Sequence, residues 1–162
     1  MLALRIPPPV WMLLAGATMC FLDRVVPVVT VIAAPWNRLG WWVMAAALML
    51  VLPAMAQFAR ARTTVNPRDP SKTSTLVTAG VYGWTRNPMY LGLLLLLGGW
   101  AIHLGSVSCF AIPPLFALLI QHVQILPEER LLRARFGDDY DRYTRRVGRW
   151  LGRRREPPVE RV

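Results

Sequence analysis

Long uncharged runs alternate with short charged segments along this chain, and each run is about as long as a membrane-spanning helix. The runs predict such helices at residues 8–24, 38–59, 87–104 and 107–125. A helix needs about 17 to 25 mainly apolar residues to cross the hydrocarbon core of a bilayer. The pattern therefore predicts an all-α integral membrane protein with about four transmembrane helices, built as one domain over residues 1–162.

The last two predicted helices come from a single uncharged stretch, Pro88 to Ile120. As one straight helix this stretch would be about 50 Å long, well beyond the ~30 Å hydrocarbon core. It must therefore fold back, and His103-Leu104-Gly105-Ser106 is the obvious turn. Such a hairpin returns Pro127-Glu128-Glu129 to the same membrane level as Arg86-Asn87.

The segments around the first two predicted helices have their own signatures. No small-residue cleavage site follows the first apolar run, so we expect a retained helix rather than a signal peptide. Residues 25–35 are apolar but interrupted by prolines, which favours a connection along the membrane surface. Trp36, Trp41 and Trp42 then cluster around Arg38, as in an interfacial aromatic belt. Loop 60–86 begins polar and lacks apolar periodicity, so it should lie outside the membrane.

The basic C-terminal segment 127–162 predicts helices of another kind. A first helix should end at Phe136-Gly137. Beyond it, apolar and aromatic side chains recur at helical spacing, at Tyr140, Tyr143, Val147 and Trp150. Arginines lie between these positions. This predicts an amphipathic cytoplasmic helix, which either lies on anionic lipid headgroups or packs on its own domain. The arginine-rich tail from Arg153 is expected near the headgroups as well.

Composition and charge agree with a membrane protein and set its orientation. The chain is 54% hydrophobic yet carries a formal net charge of +10. The charge is confined to segments between and after the apolar runs, so a spread-out nucleic-acid surface is not expected. Only Arg24, Arg38 and Asp23 fall on the other side of the predicted membrane. The positive-inside rule then places loop 60–86 and the C-terminus in the cytoplasm.

Cysteine and histidine give no sign of metal or disulfide chemistry. Cys20 and Cys109 both lie inside apolar runs, where a thiol behaves as a small hydrophobic group. His103 falls in the distal turn, and His122 lies in the last apolar run without a partner at metal-ligand spacing. We therefore interpret both histidines as structural and predict no metal site.

The polar residues at the predicted hairpin ends form a candidate ligand site. Arg86 offers a planar fork of donors for a carboxylate or phosphate, and Glu128 and Glu129 suit an amine or ribose hydroxyls. Asn87 is placed to cap the helix that begins at Pro88. Tyr82 and Tyr90 add aromatic surface with a polar tip, and Gly92 allows close backbone approach.

A ligand with a carboxylate, an amine and a ribose would satisfy this set, and S-adenosylmethionine is such a ligand. A nicotinamide dinucleotide, with more phosphate, would call for more arginine and fewer carboxylates. Structural explanations stand beside this one. Arg86 could anchor the chain at the membrane surface, Glu128 could pair with a nearby arginine, and Tyr90 could be an interfacial aromatic residue.

Three motifs resemble the bacterial members of the isoprenylcysteine carboxyl methyltransferase family, part of a phospholipid methyltransferase-like superfamily. The first is Arg86-Asn87-Pro88-Met89-Tyr90-Leu91-Gly92, and the second is the acidic pair Glu128-Glu129. The third runs from Phe136-Gly137 through Tyr140 to Tyr143. The resemblance covers roughly residues 62–151, and the IPPP start near the N-terminus is also typical of the bacterial group. Eukaryotic relatives often carry histidine at the position of Asn87.

The resemblance implies a multi-pass methyltransferase of the bacterial inner membrane that uses S-adenosylmethionine. It places Arg86, Glu128 and Glu129 at the reaction. The cofactor pocket that it implies is lined by Tyr82, Arg86, Asn87, Pro88, Tyr90, Gly92, Glu128 and Glu129. The acceptor is expected to be a lipophilic small molecule or lipid with a carboxylate, thiol or amine. Two alternatives remain: an NADPH-dependent membrane reductase related to sterol reductases, and a non-enzymatic lipid-binding scaffold.

Overall fold

α-Helices make up most of the structure. The computed structural model describes residues 6–26, 29–60 and 76–152. The helices are α1 (Pro8–Val25), α2 (Leu39–Arg60), α3 (Pro88–Leu104), α4 (Val107–Phe110), α5 (Ile112–Ile120) and α6 (Leu126–Arg146), with 3-10 turns at Trp36–Arg38 and Gly80–Gly83 and a π-helical turn at Gln121–Ile125. Within the described ranges the only β pairing is an isolated bridge between Thr30 and Ser106, so the all-α prediction is confirmed there.

Prolines mark the beginnings of four of these helices. Pro8, Pro88, Pro113 and Pro127 lie in the first turns of α1, α3, α5 and α6. A first-turn residue needs no intrahelical amide donor, and the fixed φ of proline already suits the helix. Local sequence therefore sets these helix starts, and α3 begins within one residue of its predicted position.

The predicted hairpin turns at Gly105. Its φ of 73° is left-handed, and an added Cβ would lie 2.1 Å from the carbonyl oxygen of Ile32. The Gly105 carbonyl accepts the amide of Val31 at 2.8 Å, and the Val107 amide donates to Val29 at 3.0 Å. The turn after α3 is therefore fixed by the segment that follows α1. Pro27 and Val28, in the same connection, lie outside the described residues.

Contacts at both ends show that successive helical passes run in opposite directions. The Asn37 side chain donates to the His103 carbonyl at 3.2 Å, which places the start of α2 beside the end of α3. The Gln124 side chain donates to the Ile6 carbonyl at 2.9 Å, which places the start of α1 beside the π-helical turn. Residues 80–87 and Glu128-Glu129 consequently lie at one end, called here the site end, and Gly105 lies at the distal end.

The core lies between α1, α3 and α5. Met19, Leu97, Ala101, Phe116 and Ile120 are buried there in one cluster. α2 packs on another side of α3 through glycines, because a Cβ at Gly99 would lie 2.6 Å from the Gly40 carbonyl oxygen. Small residues at a helix contact let the two backbones approach closely, as in many membrane helix pairs.

Among the described residues, two helical runs are long and apolar enough to cross a membrane, Trp36–Gln57 and Val107–Arg146, and α3 is a shorter apolar helix. Trp42 and Met49 on α2 are 76% and 71% exposed, so apolar side chains face outward as lipid-facing residues do. The structure thus supports membrane helices, while the predicted number of crossings stays a prediction. The middle of loop 60–86 and the tail lie outside the described residues, with Arg62, Arg68, Lys72 and Arg153 among them.

Two boundaries of the last predicted segments differ in the structure. The helix predicted over residues 107–125 is followed directly by the π-helical turn and by α6, with Pro127 in the first turn of α6. The amphipathic helix expected to reach Trp150 ends at Arg146, and Val147 is extended with φ −122° and ψ 132°. The break at Gly137 is confirmed by its φ of 50° and ψ of −124°.

The C-terminal part of α6 packs on the rest of the chain. Tyr140, Tyr143 and Val147 are buried in a cluster with Leu76 and Leu132. Of the two arrangements left open by the sequence, the structure therefore has the one in which this helix buries its apolar face on its own domain.

Candidate active site

The site is built on the short segment that leads into α3. Gly80 has a φ of 59°, and an added Cβ would lie 2.0 Å from the Gln57 side-chain nitrogen. The left-handed φ favours glycine at this position, and the absent side chain leaves room for Gln57 at the end of α2. The 3-10 turn Gly80–Gly83 follows, and Thr85, Arg86 and Asn87 then lead to Pro88 at the site end.

Arg86 and Glu129 join the two polar motifs directly. Arg86 Nη1 lies 3.2 Å from Glu129 Oε1, and the two side chains are only 9% and 12% exposed. Arg86 also lies near the buried Tyr140 side chain. Its Nε atom is buried without a hydrogen-bond partner in the structure.

Tyr90 and Glu128 form the second link between the motifs. The Tyr90 hydroxyl, on the first turn of α3, donates to Glu128 Oε1 at 2.5 Å. Tyr90 is itself 8% exposed and belongs to the central core cluster. The hydrogen bond fixes one carboxylate oxygen of Glu128 against the start of α3, so both acids of the pair are oriented by residues of the first motif.

Tyr82 closes the site from the loop side. Its ring is buried, and its backbone carbonyl accepts the hydroxyl of Tyr143 at 2.7 Å. Burial raises the pKa of Tyr82 well above its usual range, and the nearby Tyr143 and Glu128 raise it further. The phenol therefore stays neutral at physiological pH and presents an O–H donor rather than a phenolate.

Asn87 has a different role from the predicted one. No side-chain hydrogen bond caps α3. Instead, Asn87 Nδ2 donates to the backbone carbonyl of Arg149 at 3.1 Å. The amide side chain thus ties the start of α3 to the segment after α6. Pro88 is buried beside it at the first position of α3, where the sequence placed it.

Gly92 lies in a helix contact rather than at the polar cluster. An added Cβ there would be 2.1 Å from Val51 Cγ2 and 3.5 Å from the Ala47 carbonyl oxygen. The glycine of the first motif therefore allows α2 and α3 to approach, and the close backbone approach predicted for Gly92 is made to a helix of this chain.

Arg149 was not among the residues predicted for the site, and the structure brings it there. Arg149 donates from Nε to Glu129 Oε1 at 3.0 Å and from Nη2 to Glu129 Oε2 at 2.8 Å. Its hydrogen bond with Glu129 raises the pKa of the guanidinium, so it remains charged. Trp150, beside it, donates to the Gln121 side chain at 3.1 Å. The sequence predicted a helix through Trp150, in which Arg149 would not turn back towards the acidic pair. The chain instead leaves the helix at Val147, and this brings Arg149 to Glu129.

Comparisons with known proteins agree with the motif resemblance. The sequence model of the phospholipid methyltransferase family matches residues 36–139. A stretch of 63 residues, 39% of the chain, is 44% identical to an uncharacterized protein of Haemophilus influenzae and covers all of that protein. Another of 97 residues, 58% of the chain, is 31% identical to protein-S-isoprenylcysteine O-methyltransferase of Schizosaccharomyces pombe. That match spans 40% of the yeast enzyme's length. No solved structure matches the chain significantly.

Proposed function

Because this chain belongs to the phospholipid methyltransferase family, we propose that it is a membrane methyltransferase that uses S-adenosylmethionine as its methyl donor. The acceptor is a lipophilic molecule or lipid that carries a carboxylate, thiol or amine. The observation that carries the proposal is the convergence of Arg86 and Glu129, 3.2 Å apart, with Tyr90 and Glu128 joined beside them.

The donor set at the site end suits the charged part of this cofactor. Arg86 is nearly buried, and its Nε lacks a hydrogen-bond partner in the structure, so it can take a carboxylate. Glu128 is the acid for an amine or for ribose hydroxyls, since both oxygens of Glu129 are held by Arg149. The neutral hydroxyl of Tyr82 offers a further donor, and Pro88 and Asn87 form the wall at the start of α3.

When bound, S-adenosylmethionine would supply an electrophilic methyl group: the acceptor's lone pair would bond to the methyl carbon, and the carbon–sulfur bond would break with its electrons left on sulfur. The protein's share of such a reaction is mainly orientation and the exclusion of water. Arg86 would hold a carboxylate in place, and Glu128 would accept the proton of an amine acceptor. A carboxylate or thiolate acceptor would need no such base.

We propose an apolar acceptor route from the lipid side and a cofactor route from the aqueous side. Exposed apolar side chains on α2 form the surface along which an apolar acceptor would approach. We propose that the site end faces the cytoplasm of the bacterial inner membrane, because its flanks are basic at Arg60 and along α6. Anionic headgroups would meet the same arginines.

Arg86→Ala is the first test, with full-length protein in detergent. We expect loss of measurable S-adenosylmethionine binding by calorimetry and of methyl transfer from labelled donor to a membrane extract. Glu128→Gln and Glu129→Ala should also weaken binding. Arg145→Ala removes an exposed arginine of α6 and serves as the matched control. Unchanged affinity in a folded Arg86→Ala protein would refute the assignment, and binding of NADPH instead by the wild type would favour a reductase.

A further inference from the structure

The segment after α6 turns back onto the loop that leads into α3. Residues 147–152 are called here the C-terminal turn. The amide of Arg86 donates to the Gly148 carbonyl at 3.0 Å, and the amide of Gly152 donates to the Trp84 carbonyl at 3.0 Å. A further bond of 2.7 Å from the Gly148 amide to the Gly152 carbonyl closes the turn itself. The turn is thus held against Arg86 by backbone bonds at two points.

Arg149 extends from this turn and contacts both polar motifs at once. Its backbone carbonyl accepts Thr85 Oγ1 at 3.3 Å and Asn87 Nδ2 at 3.1 Å. Its guanidinium takes both oxygens of Glu129 at 3.0 and 2.8 Å. Two parallel N–H donors on one carboxylate give the most directional form of an ion pair. One residue therefore fixes Asn87 through its backbone and Glu129 through its side chain.

The cluster of Arg86, Arg149 and Glu129 contains two cations and one carboxylate. Arg86 and Arg149 share the single carboxylate of Glu129, and Arg149 holds both of its oxygens. Arg86 meets the same carboxylate through Nη1. A buried cation that is only partly compensated favours an anionic partner. Without Arg149, Glu129 would be free to rotate and pair fully with Arg86, which would remove that preference.

We propose that Arg149 is a positioning residue of the candidate site. By holding Glu129 and Asn87, it keeps Arg86 in place and leaves part of the positive charge of Arg86 available to an anionic group of the ligand. This inference rests on the proposed function in that the anionic group is the carboxylate of S-adenosylmethionine or its product.

The first test needs no ligand. Hydrogen exchange of the backbone amides in residues 84–90 is compared among wild type, Arg149→Gln and Arg145→Gln, with full-length protein in detergent. Arg149→Gln should exchange roughly tenfold faster at Arg86 and Asn87, since it loses a charge-assisted contact. Arg149→Lys, which keeps the charge but not the fork, should fall between. Exchange in Arg149→Gln equal to that in Arg145→Gln would overturn the positioning role.

The second test separates orientation of a carboxylate from general loss of structure. S-adenosylhomocysteine carries the amino-acid group, whereas 5′-methylthioadenosine does not. Arg149→Gln should bind the former roughly tenfold more weakly and the latter about as well as wild type. Equal losses for both ligands would overturn the charge argument. If wild type binds neither ligand, the proposed function fails, and hydrogen exchange alone then decides the role of Arg149.

Discussion

Tyr90 and Glu128 are joined by one hydrogen bond of 2.5 Å, and Glu129 is joined to two arginines. At the scale of single residues, the adjacent acids therefore have different environments. Glu129 is compensated by charge, whereas Glu128 is oriented by a neutral phenol. Sequence treats the two acids as equivalent, but the structure separates a carboxylate held by two arginines from one held by a tyrosine hydroxyl.

Tyr90→Phe tests the link to Glu128 at this scale. The variant should lose about 1–3 kcal/mol of stability, because Glu128 Oε1 is left without its hydrogen-bond partner inside the protein. Tyr143→Phe is the matched comparison, since its hydroxyl donates to the neutral Tyr82 carbonyl at 2.7 Å. We expect it to lose about 0.5–1.5 kcal/mol. Thermal unfolding in one detergent gives the ranking, and a greater loss in Tyr143→Phe would contradict it.

Among the helices, glycines decide which faces meet. Gly99 and Gly92 of α3 lie against α2, where an added Cβ would approach Gly40 or Val51 to within 2.6 and 2.1 Å. Gly137 instead sits inside α6 with backbone angles that a side chain disfavours, and it redirects the helix. Close approach and backbone conformation are separate reasons for glycine, and they predict different outcomes for the same substitution.

Gly99→Ala should destabilise the protein by about 1–3 kcal/mol, because a core contact would be overpacked against backbone atoms of Gly40 and Met44. Gly98→Ala is the neighbouring control, since nothing lies within 4 Å of its added Cβ. It should be neutral or slightly stabilising, as alanine favours a helix interior. The two melting temperatures check this, and equal values would argue against the tight contact of α2 with α3.

Gly137→Ala should also destabilise, although nothing lies within 4 Å of the added Cβ. The reason is the φ of 50° with ψ of −124°, a conformation that costs about 1–3 kcal/mol for a residue with a side chain. Relief of this strain would move Tyr140 and Tyr143 out of their cluster. Faster protease cleavage around residues 137–147 is expected, and a resistance equal to that of wild type would exclude the strain.

For the whole molecule, the antiparallel passes place both polar motifs and the C-terminal turn at one end. The distal turn at Gly105 and the exposed Trp36 lie at the other end. The described basic residues Arg60, Arg86 and Arg149 lie at this same end, so one orientation in the membrane would put all of them on one side.

Labelling of single cysteines tests this arrangement in intact cells. Cys20 and Cys109 are both free, so alanine at these positions gives a background without reactive thiols. Cysteines at Trp84 and Leu151, which are 63% and 72% exposed, should resist an impermeant reagent until the membrane is opened. A cysteine at Trp36, 69% exposed, should react from outside. Identical behaviour at Trp36 and Trp84 would contradict the opposite-end arrangement.

Sequence predicted the helices well because their causes are local. Uncharged length and first-turn prolines such as Pro88 and Pro127 act within a few residues. The prediction was wrong at the end of the last helix, which stops at Arg146 rather than at Trp150. Apolar residues keep helical spacing through residues 140–150, yet the helix ends before Val147. There, backbone hydrogen bonds of Gly148 and Gly152 with Arg86 and Trp84 replace further helical bonds. Those partners are distant in sequence, so no local pattern reports them.

The sequence by itself determined that this chain forms apolar helices and that a hairpin brings Arg86 to the level of the acidic pair. Charge and length are sufficient for that, because a bilayer admits few arrangements of uncharged helices. Only the tertiary structure decided that Glu129 lies between two arginines, that Asn87 binds the Arg149 carbonyl, and that Gly92 serves the contact with α2. Each of these depends on atoms within about 3.5 Å that come from separate segments, a distance over which hydrogen bonds and steric contacts act.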